Sequence, residues 1–539
     1  MGVGLSLASM LTRTRDMAGD VFPGAWDAVS ADSDGWATRA RAWLQTCRAH
    51  SSCGSTAGFQ PTRLIDVRDP NDLKLVTRGE AVPPSPYACL SYVWGPSQSY
   101  VLTKGTVGQL HNKLDASMLP RTITDAVTVA RRMGFRYIWV DALCIIQDSA
   151  DDKLKELPRM SDIYRESSLT IVAASAMAAG EGFLRAPESA TFLVEPFGIS
   201  FSPHESHRAS LVLGYRQTYK AATDPINSRA WTLQERVLSP RLLIFSNGGV
   251  MWMCRESHVN LGAAPDAGPP YQTSLGSDAG DEETDETRLR EQWMAIRADY
   301  TEMDLSYYSD KLSAISALAA DVARRAGWTY LAGLWKENLF SELHWTSMKR
   351  TPSGEAFRLK PQKAREAGYI APSWSWASTG LGMIVDSEGE RSHRDPFHFK
   401  VLDCRVEAAG NASFQFGPVK SGFLLVEGRM IELPWRLEDR PEWDGSDVAL
   451  LDTDKDEEGR ALVVGDGTFD PLDDDIQPDT NLGCLAMSRL QLGRQRIVPV
   501  EGLLLLPTGS SGAFRRVGYF RMTAPSVFDE THARVIRIE

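Results

Sequence analysis

Cysteine is scarce in this chain: seven thiols among 539 residues, an odd number thinly spread. That usage excludes a disulfide scaffold and fits reduced thiols in a cytosolic or nuclear protein. Basic clusters are missing too. The 58 Lys and Arg are outnumbered by 70 Asp and Glu, for a net charge of -12. With no Lys/Arg block, an electrostatic nucleic-acid binder is excluded. No run approaches the roughly 18 apolar residues of a membrane helix. The opening "MGVGLSLASMLTRTRDMAGD" has a short apolar patch without a basic start, so no signal peptide is expected. Its Gly2 and Ser6 fit a myristoylation pattern, but a cytoplasmic chain without a membrane partner is the expectation. There is no GxxxxGK[ST] loop, no HExxH helix, no GxSxG elbow and no GxGxxG frame after a strand, which disfavours ATPase, zinc-protease and serine-hydrolase readings. "DTDKDEEGR" (452–460) has calcium-loop acids without the required Gly and final Glu.

What is present is an ordinary globular composition, 43% hydrophobic and 24% charged. Residues 35–48 carry a helical pattern, with Trp36, Ala40, Trp43 and Cys47 on one face. "CRAHSSC" then sets Cys47, His50 and Cys53 three apart, half of a zinc site by spacing. No second Cys/His pair at ligand spacing follows, so a helix end with partly buried thiols is expected and no metal is assigned. "TRLIDV" (62–67) and "LKLVTR" (73–78) predict a hairpin around "RDPND". "YACLSYVWG" (87–95) predicts a buried strand closed by Gly95. "LPRTITDAVTVARRMG" (119–134) predicts a helix capped by Thr122 with Asp125 and ended by Gly134. "YIWVDALCII" (137–146) and "SLTIVAASA" (168–176) predict two more strands, with a helix around 153–165 that Pro158 kinks.

Strand, helix, strand, helix, strand is the order of a parallel α/β sheet, whose ligands bind beyond the carboxyl ends of the strands. Asp141 falls at such an end. An acid there serves equally as a helix cap or turn residue, and the sequence leaves both roles open. Further on, Ser228 is expected to cap a helix through Leu238, followed by the strand "RLLIF". Residues 262–288 are Gly-, Pro- and acid-rich and predict a solvated loop. Residues 289–345 carry helical patterns, and short β-like runs fill the chain from about 397 on.

Taken in order, "YACLSYVWG", "LPRTITDAVTVARRMGFRYIWVDALCIIQD", "RMSDIYRESSLTIVAAS" and "SRAWTLQERVLSPRLLIF" resemble the fungal heterokaryon incompatibility (HET) domain proteins, as do "WLQTCRAHSSC", "YLAGLW" and "PSWSWAS". The resemblance spans roughly 43–380. It implies programmed cell death on non-self recognition. HET domains have been likened to the Toll/interleukin-receptor (TIR) fold, a flavodoxin-like parallel sheet, and some TIR domains cleave NAD with one glutamate. The expected architecture is therefore a TIR/flavodoxin-like α/β core, then a helical segment and a β-rich C-terminal region. The expected divisions are 1–80, an N-terminal extension; 81–260, the HET domain; 261–288, an acidic loop; 289–395, helical with the WSW motif; and 396–539, β-rich.

Through the TIR likeness the catalytic role falls on Glu235, in a Trp-x-x-x-Glu spacing with Trp231. An insertion of about fifty residues, and Ala230 where relatives often have Gly, are departures from the pattern. Breaking the nicotinamide–ribose bond makes an oxocarbenium-like cation that a carboxylate stabilises. Trp231, one turn from Glu235, would stack on a ring of the ligand. Without that likeness the helix reads as amphipathic, with Glu235 paired to Arg229, Arg236 or Arg241. Asp141 is the second candidate acid. Ser91, Tyr92, Trp94 and Arg229 complete the expected binding set, with packing or strand closure as the alternative for the first three. Cys144 reads as a buried apolar thiol, and Trp374 with Trp376 as core packing. NAD is a possible substrate and no cofactor is expected. Three functions compete: an incompatibility effector acting by NAD hydrolysis or assembly, a non-enzymatic module contacting itself or a partner incompatibility protein, and a stand-alone biosynthetic enzyme converting a small molecule.

Overall fold

The structure is a computed structural model. It describes residues 9–12, 35–53, 58–77, 85–96, 98, 100–184, 197–200, 208–214, 224–247, 249–261, 282–348, 367–379, 383–386, 393–409, 415–437, 448–455, 461–470, 476, 480–491, 499–509, 512–523 and 525–539. Gly2, Ser6, most of the acidic stretch 262–288 and the last five residues of "DTDKDEEGR" lie outside the described residues. The chain divides into two compact units, Met1–Ala279 and Gly280–Glu539.

In the first unit, helix α1 (Gly35–Cys47) buries Trp36, Ala37, Ala40, Leu44 and Cys47, the stripe its spacing dictates. Strands β1 (Arg63–Asp66) and β2 (Lys74–Thr77) form the antiparallel hairpin expected from the alternation. Strand β3 (Tyr87–Ser91) is buried at every position, as an interior parallel strand covered on both faces must be. Helix α2 (Arg121–Arg132) buries Ile123, Ala126, Val127, Val129 and Ala130. Each of its large aliphatic side chains contributes about 1.5–3 kcal/mol by leaving water. Strand β4 (Tyr137–Trp139) is followed by the single turn α3 (Asp141–Cys144). Next come α4 (Ala150–Glu156), a 3₁₀ turn holding Pro158, α5 (Met160–Arg165) and strand β5 (Leu169–Val172). Helix α6 (Ala230–Leu238), β6 (Arg241–Ser246), β7 (Gly249–Cys254) and β8 (His258–Leu261) complete the sheet.

The eight strands run in the order β8-β7-β6-β5-β3-β4-β1-β2. The inner four are parallel: β3 pairs with β4 and β5, and β5 with β6. Numbered along the chain, they lie in the spatial order second, first, third, fourth. Antiparallel strands extend both edges, so the sheet is mixed, and the hairpin β1–β2 joins it through β4. A separate three-stranded sheet unites 9–12, 197–200 and 208–214.

Several local expectations are corrected. The strand predicted over 137–146 stops at Trp139, and Asp141 opens a helical turn, its Oδ1 accepting the Ala142 N–H at 2.7 Å. Thr122 and Asp125 do not cap α2, which starts after Pro120. They instead fasten the loop after β5: Thr122 Oγ1 accepts from Gly182 N, and Asp125 accepts from Phe183 N and Leu184 N. Ser228 donates to Pro225 O, and Arg229, not Ser228, precedes α6.

In the second unit, α7 (Glu282–Thr301) starts seven residues before the predicted helical region. It buries Trp293, Ile296 and Tyr300, and α8 (Ser316–Ala326) ends on Gly327 at φ +70°, the left-handed closure glycine permits. Trp374 and Trp376 are fully buried, the Trp376 indole donating to Gly333 O. The remainder is a β-rich region. Its largest sheet has 11 strands among the described residues. Strands β9 (Val448–Lys455), β10 (Ala461–Phe469), β11 (Leu482–Gln491), β12 (Val500–Pro507) and β13 (Ala513–Met522) line up as β11-β12-β13-β10-β9, all antiparallel. Their inner faces enclose Leu482, Leu504, Val517 and Phe520.

Candidate functional site

At the carboxyl ends of β3 and β4 the chain changes from apolar to polar within one or two residues. Ser91 closes β3, wholly buried, and its hydroxyl donates to Glu235 Oε2 of α6. Tyr92 follows, 3% exposed, its hydroxyl exchanging hydrogen bonds with the Gln98 amide. Trp94 sends its indole N–H to Asp141 Oδ2 at 2.8 Å, joining the tips of the two strands. The turn beyond it needs Gly95: φ is +72°, and a Cβ there would lie 2.6 Å from that of Ala178.

Helix α6 is laid over these tips. Arg229 anchors it, donating to Tyr92 O at 2.9 Å. On the helix, Glu235 is 6% exposed and Trp231 is half-buried one turn away. The helix is held from below by Ser239, whose hydroxyl donates to Glu235 O and meets Thr170 Oγ1 of β5 at 2.7 Å. Glu235 takes its side-chain hydrogen bond from Ser91 rather than from an arginine; Arg236 turns to Asn227, and Arg241 to Cys47 and Cys53.

Burial is what sets the electrostatics. It pushes the Glu235 carboxyl up to about 8, the Ser91 hydrogen bond and Arg229 pulling down and the charge of Asp141 pushing up. Asp141 is raised as well, burial outweighing its bonds to Ala142 N and Trp94, the attraction of Arg229 and the nearby Tyr92 hydroxyl. One guanidinium thus faces two carboxyls, one of which keeps its proton at neutral pH. A buried carboxyl that keeps its proton at neutral pH beside a second acid is an arrangement acid–base chemistry uses. Cys144 is different: burial lifts its thiol to about 12, so it stays protonated and apolar.

All seven residues expected from the sequence, Ser91, Tyr92, Trp94, Asp141, Arg229, Trp231 and Glu235, lie on these strand ends and on α6 with its first flanking residue. Tyr164 was missed. It is 1% exposed on α5, its hydroxyl donates to Leu90 O at 3.0 Å, and its polar group lowers the pKa of Glu235. Its signal was available: a lone aromatic hydroxyl on the helix preceding β5, where a buried Tyr must find a partner. A hollow of about 470 Å³ lies in the C-terminal unit against Arg324, Trp328, Tyr330 and Phe416. Among the described residues no carboxylate lines it.

For metals, a different group stands out in the first unit: the ligand atoms of Cys47, His50, Cys53 and Cys254 lie within 4.8 Å of one another. Cys254 was invisible to ligand spacing, being roughly two hundred residues from the other three. No helix among the described residues is long and apolar enough to cross a membrane.

No curated protein and no solved structure is similar enough to the chain to count as a match. Residues 87–235 match the family model for heterokaryon incompatibility protein (HET), a segment that opens on the first residue of β3 and closes on Glu235. It contains every member of the carboxylate cluster, and the first unit of this chain therefore carries a heterokaryon incompatibility domain.

Proposed function

We propose that this domain is a glycohydrolase that opens the nicotinamide–ribose bond of NAD, and that it serves non-self recognition and cell death through that loss of NAD. The observation that carries the reading is the convergence of Glu235, Ser91, Asp141 and Arg229 at the carboxyl ends of parallel strands. The strand order of the inner four, second, first, third, fourth, is that of flavodoxin-like sheets, whose ligands sit at such ends. It supports the expected TIR likeness.

In the proposed reaction the bond between ribose C1′ and the pyridinium nitrogen breaks, and its electron pair leaves with neutral nicotinamide. Water adds to the ribosyl cation and gives up a proton. Glu235, ionised, faces the developing positive charge, and its carboxylate is the natural acceptor for that proton. Ser91 fixes the orientation of the carboxylate. Asp141 and Arg229 set its proton affinity, and the pyridinium charge of the incoming substrate favours the ionised form. Trp231, half-buried beside it, supplies a stacking face.

The test is to incubate the pure full chain with NAD and separate the products. Nicotinamide with ADP-ribose supports the proposal, and its disappearance in Glu235→Gln supports the residue. Concentration-dependent assembly without turnover would instead favour an interaction module, and conversion of another small molecule a biosynthetic role.

A further inference from the structure

Outside the matched segment, four side chains converge at the antiparallel edge of the sheet. Cys47 is the last residue of α1, His50 and Cys53 lie on the turn that follows, and Cys254 ends β7. Cys47 and Cys53 are fully buried, while His50 and Cys254 are half-exposed. His50 Nδ1 lies 3.7 Å from Cys53 Sγ and 3.5 Å from Cys254 Sγ.

Those distances have a geometric meaning. In a tetrahedral zinc site with Zn–S of about 2.3 Å and Zn–N of about 2.05 Å, a nitrogen and a sulfur are about 3.6 Å apart along an edge. The two measured separations are such edges. The same separations suit thiol–imidazole hydrogen bonds, so it is the meeting of four ligand atoms within 4.8 Å of one another that points to a metal.

The surroundings fit a negatively charged centre. Arg241 is 6% exposed, and its guanidinium is directed at Cys47 Sγ, with Nε at 3.2 Å, and at the carbonyl oxygens of Cys53 and Ser168. A buried guanidinium needs an anion, and among the described residues no carboxylate forms a salt bridge with it. Three thiolates around a dication carry one net negative charge, which Arg241 would balance. The Ser257 hydroxyl lies 3.2 Å from Cys254 Sγ, where it can support the ligand from outside. The two ligand-bearing loops are also clasped independently. Ser52 N and Oγ both donate to Glu256 Oε1, at 3.0 and 2.6 Å, and Arg255 donates to Ser52 O at 2.9 Å.

We propose that Cys47, His50, Cys53 and Cys254 form a closed, structural zinc site that ties the end of α1 to the edge strand β7. Four protein ligands leave no open position, so the site stabilises and does not catalyse. It joins segments roughly two hundred residues apart, where a cross-link removes much freedom from the unfolded chain. The half-exposed His50 and Cys254 give the ion its way in.

The test uses the full chain, purified under reducing conditions without a metal-affinity resin or added zinc, and analysed by elemental mass spectrometry. The expected content is about one zinc per chain, released by a mercurial. Cobalt exchanged into the site gives the intense visible absorption of a tetrahedral thiolate complex. Cys254→Ser lowers zinc content at least about tenfold, whereas Cys484→Ser, a buried thiol of the C-terminal unit, retains it. Should Cys254→Ser not accumulate, the metal content and cobalt spectrum of the unaltered chain still decide. Fewer than about one zinc per ten chains, a weak octahedral cobalt spectrum, or full zinc retention by Cys254→Ser overturns the proposal.

Discussion

Each unit of this chain holds a deeply buried ionisable side chain, Glu235 in the first and Lys311 in the second. Their surroundings differ. Lys311 is 5% exposed; its ammonium donates to Thr379 O at 2.6 Å and lies 5.5 Å over the Trp376 ring. Burial alone brings its pKa down to about 7. Glu235 is shifted as far, to about 8, but with a hydroxyl, a second carboxyl and a guanidinium acting on it, and with half-buried Trp231, Trp94 and Arg229 beside it. Burial therefore does not distinguish a site from a core. What sets Glu235 apart is the opposed charges around it at a strand end, inside the segment that matches the family model.

Removing each group breaks that comparison most sharply. Glu235→Gln is expected to lower NAD cleavage at least about 100-fold, measured as nicotinamide released. Lys311→Met is expected to leave cleavage unchanged and to stabilise the chain at pH 6 by about 2 kcal/mol, read from denaturant unfolding. Activity lost equally in both variants would erase the distinction.

The two groups also pull stability in opposite directions with pH. Glu235 has a folded pKa of about 8 against an ordinary 4.5, so the folded state holds a proton the unfolded chain releases. Its contribution is full below pH 4.5 and is lost as pH rises through 8. Lys311 has a folded pKa of about 7 against 10.5, so the unfolded chain binds the extra proton. Its penalty is full below pH 7 and is relieved as pH rises toward 10.5. Unfolding of Glu235→Gln across pH 5 to 9 should therefore lack a destabilisation with rising pH that Lys311→Met retains.

Smaller effects sharpen the account of the first site. Trp231→Ala is expected to raise KM about 10-fold with little change in kcat, as loss of a stacking face should. Asp141→Asn removes the charge that raises Glu235, and should move the acidic limb of the pH–rate profile to lower pH by about half a unit.

Much of the scaffold was legible because periodicity reports burial directly. The stripe of α2, the hairpin β1–β2 and the apolar run of β3 follow from residue spacing. Punctuation misled where a polar side chain had a tertiary partner. Thr122 and Asp125 matched a capping box but fasten the loop at 178–184, and Asp141 ended a strand that the apolar "ALCII" was expected to prolong. Glu235 was singled out by resemblance and not by its helix, whose pattern suits an ordinary amphipathic packing. Its contact with Ser91 spans 144 residues, and such closures leave no trace in local spacing. Cys254 was missed for the same reason.

The central claim is that Glu235 at the strand tips is a functional carboxylate tuned by burial. Its most direct test is the pH dependence of kcat/KM for nicotinamide release from NAD by the full chain. The account predicts a rate that rises with pH, levels off above about 8 and is absent in Glu235→Gln. A folded chain that releases no nicotinamide at any pH, or a Glu235→Gln variant that matches the parent, would contradict it.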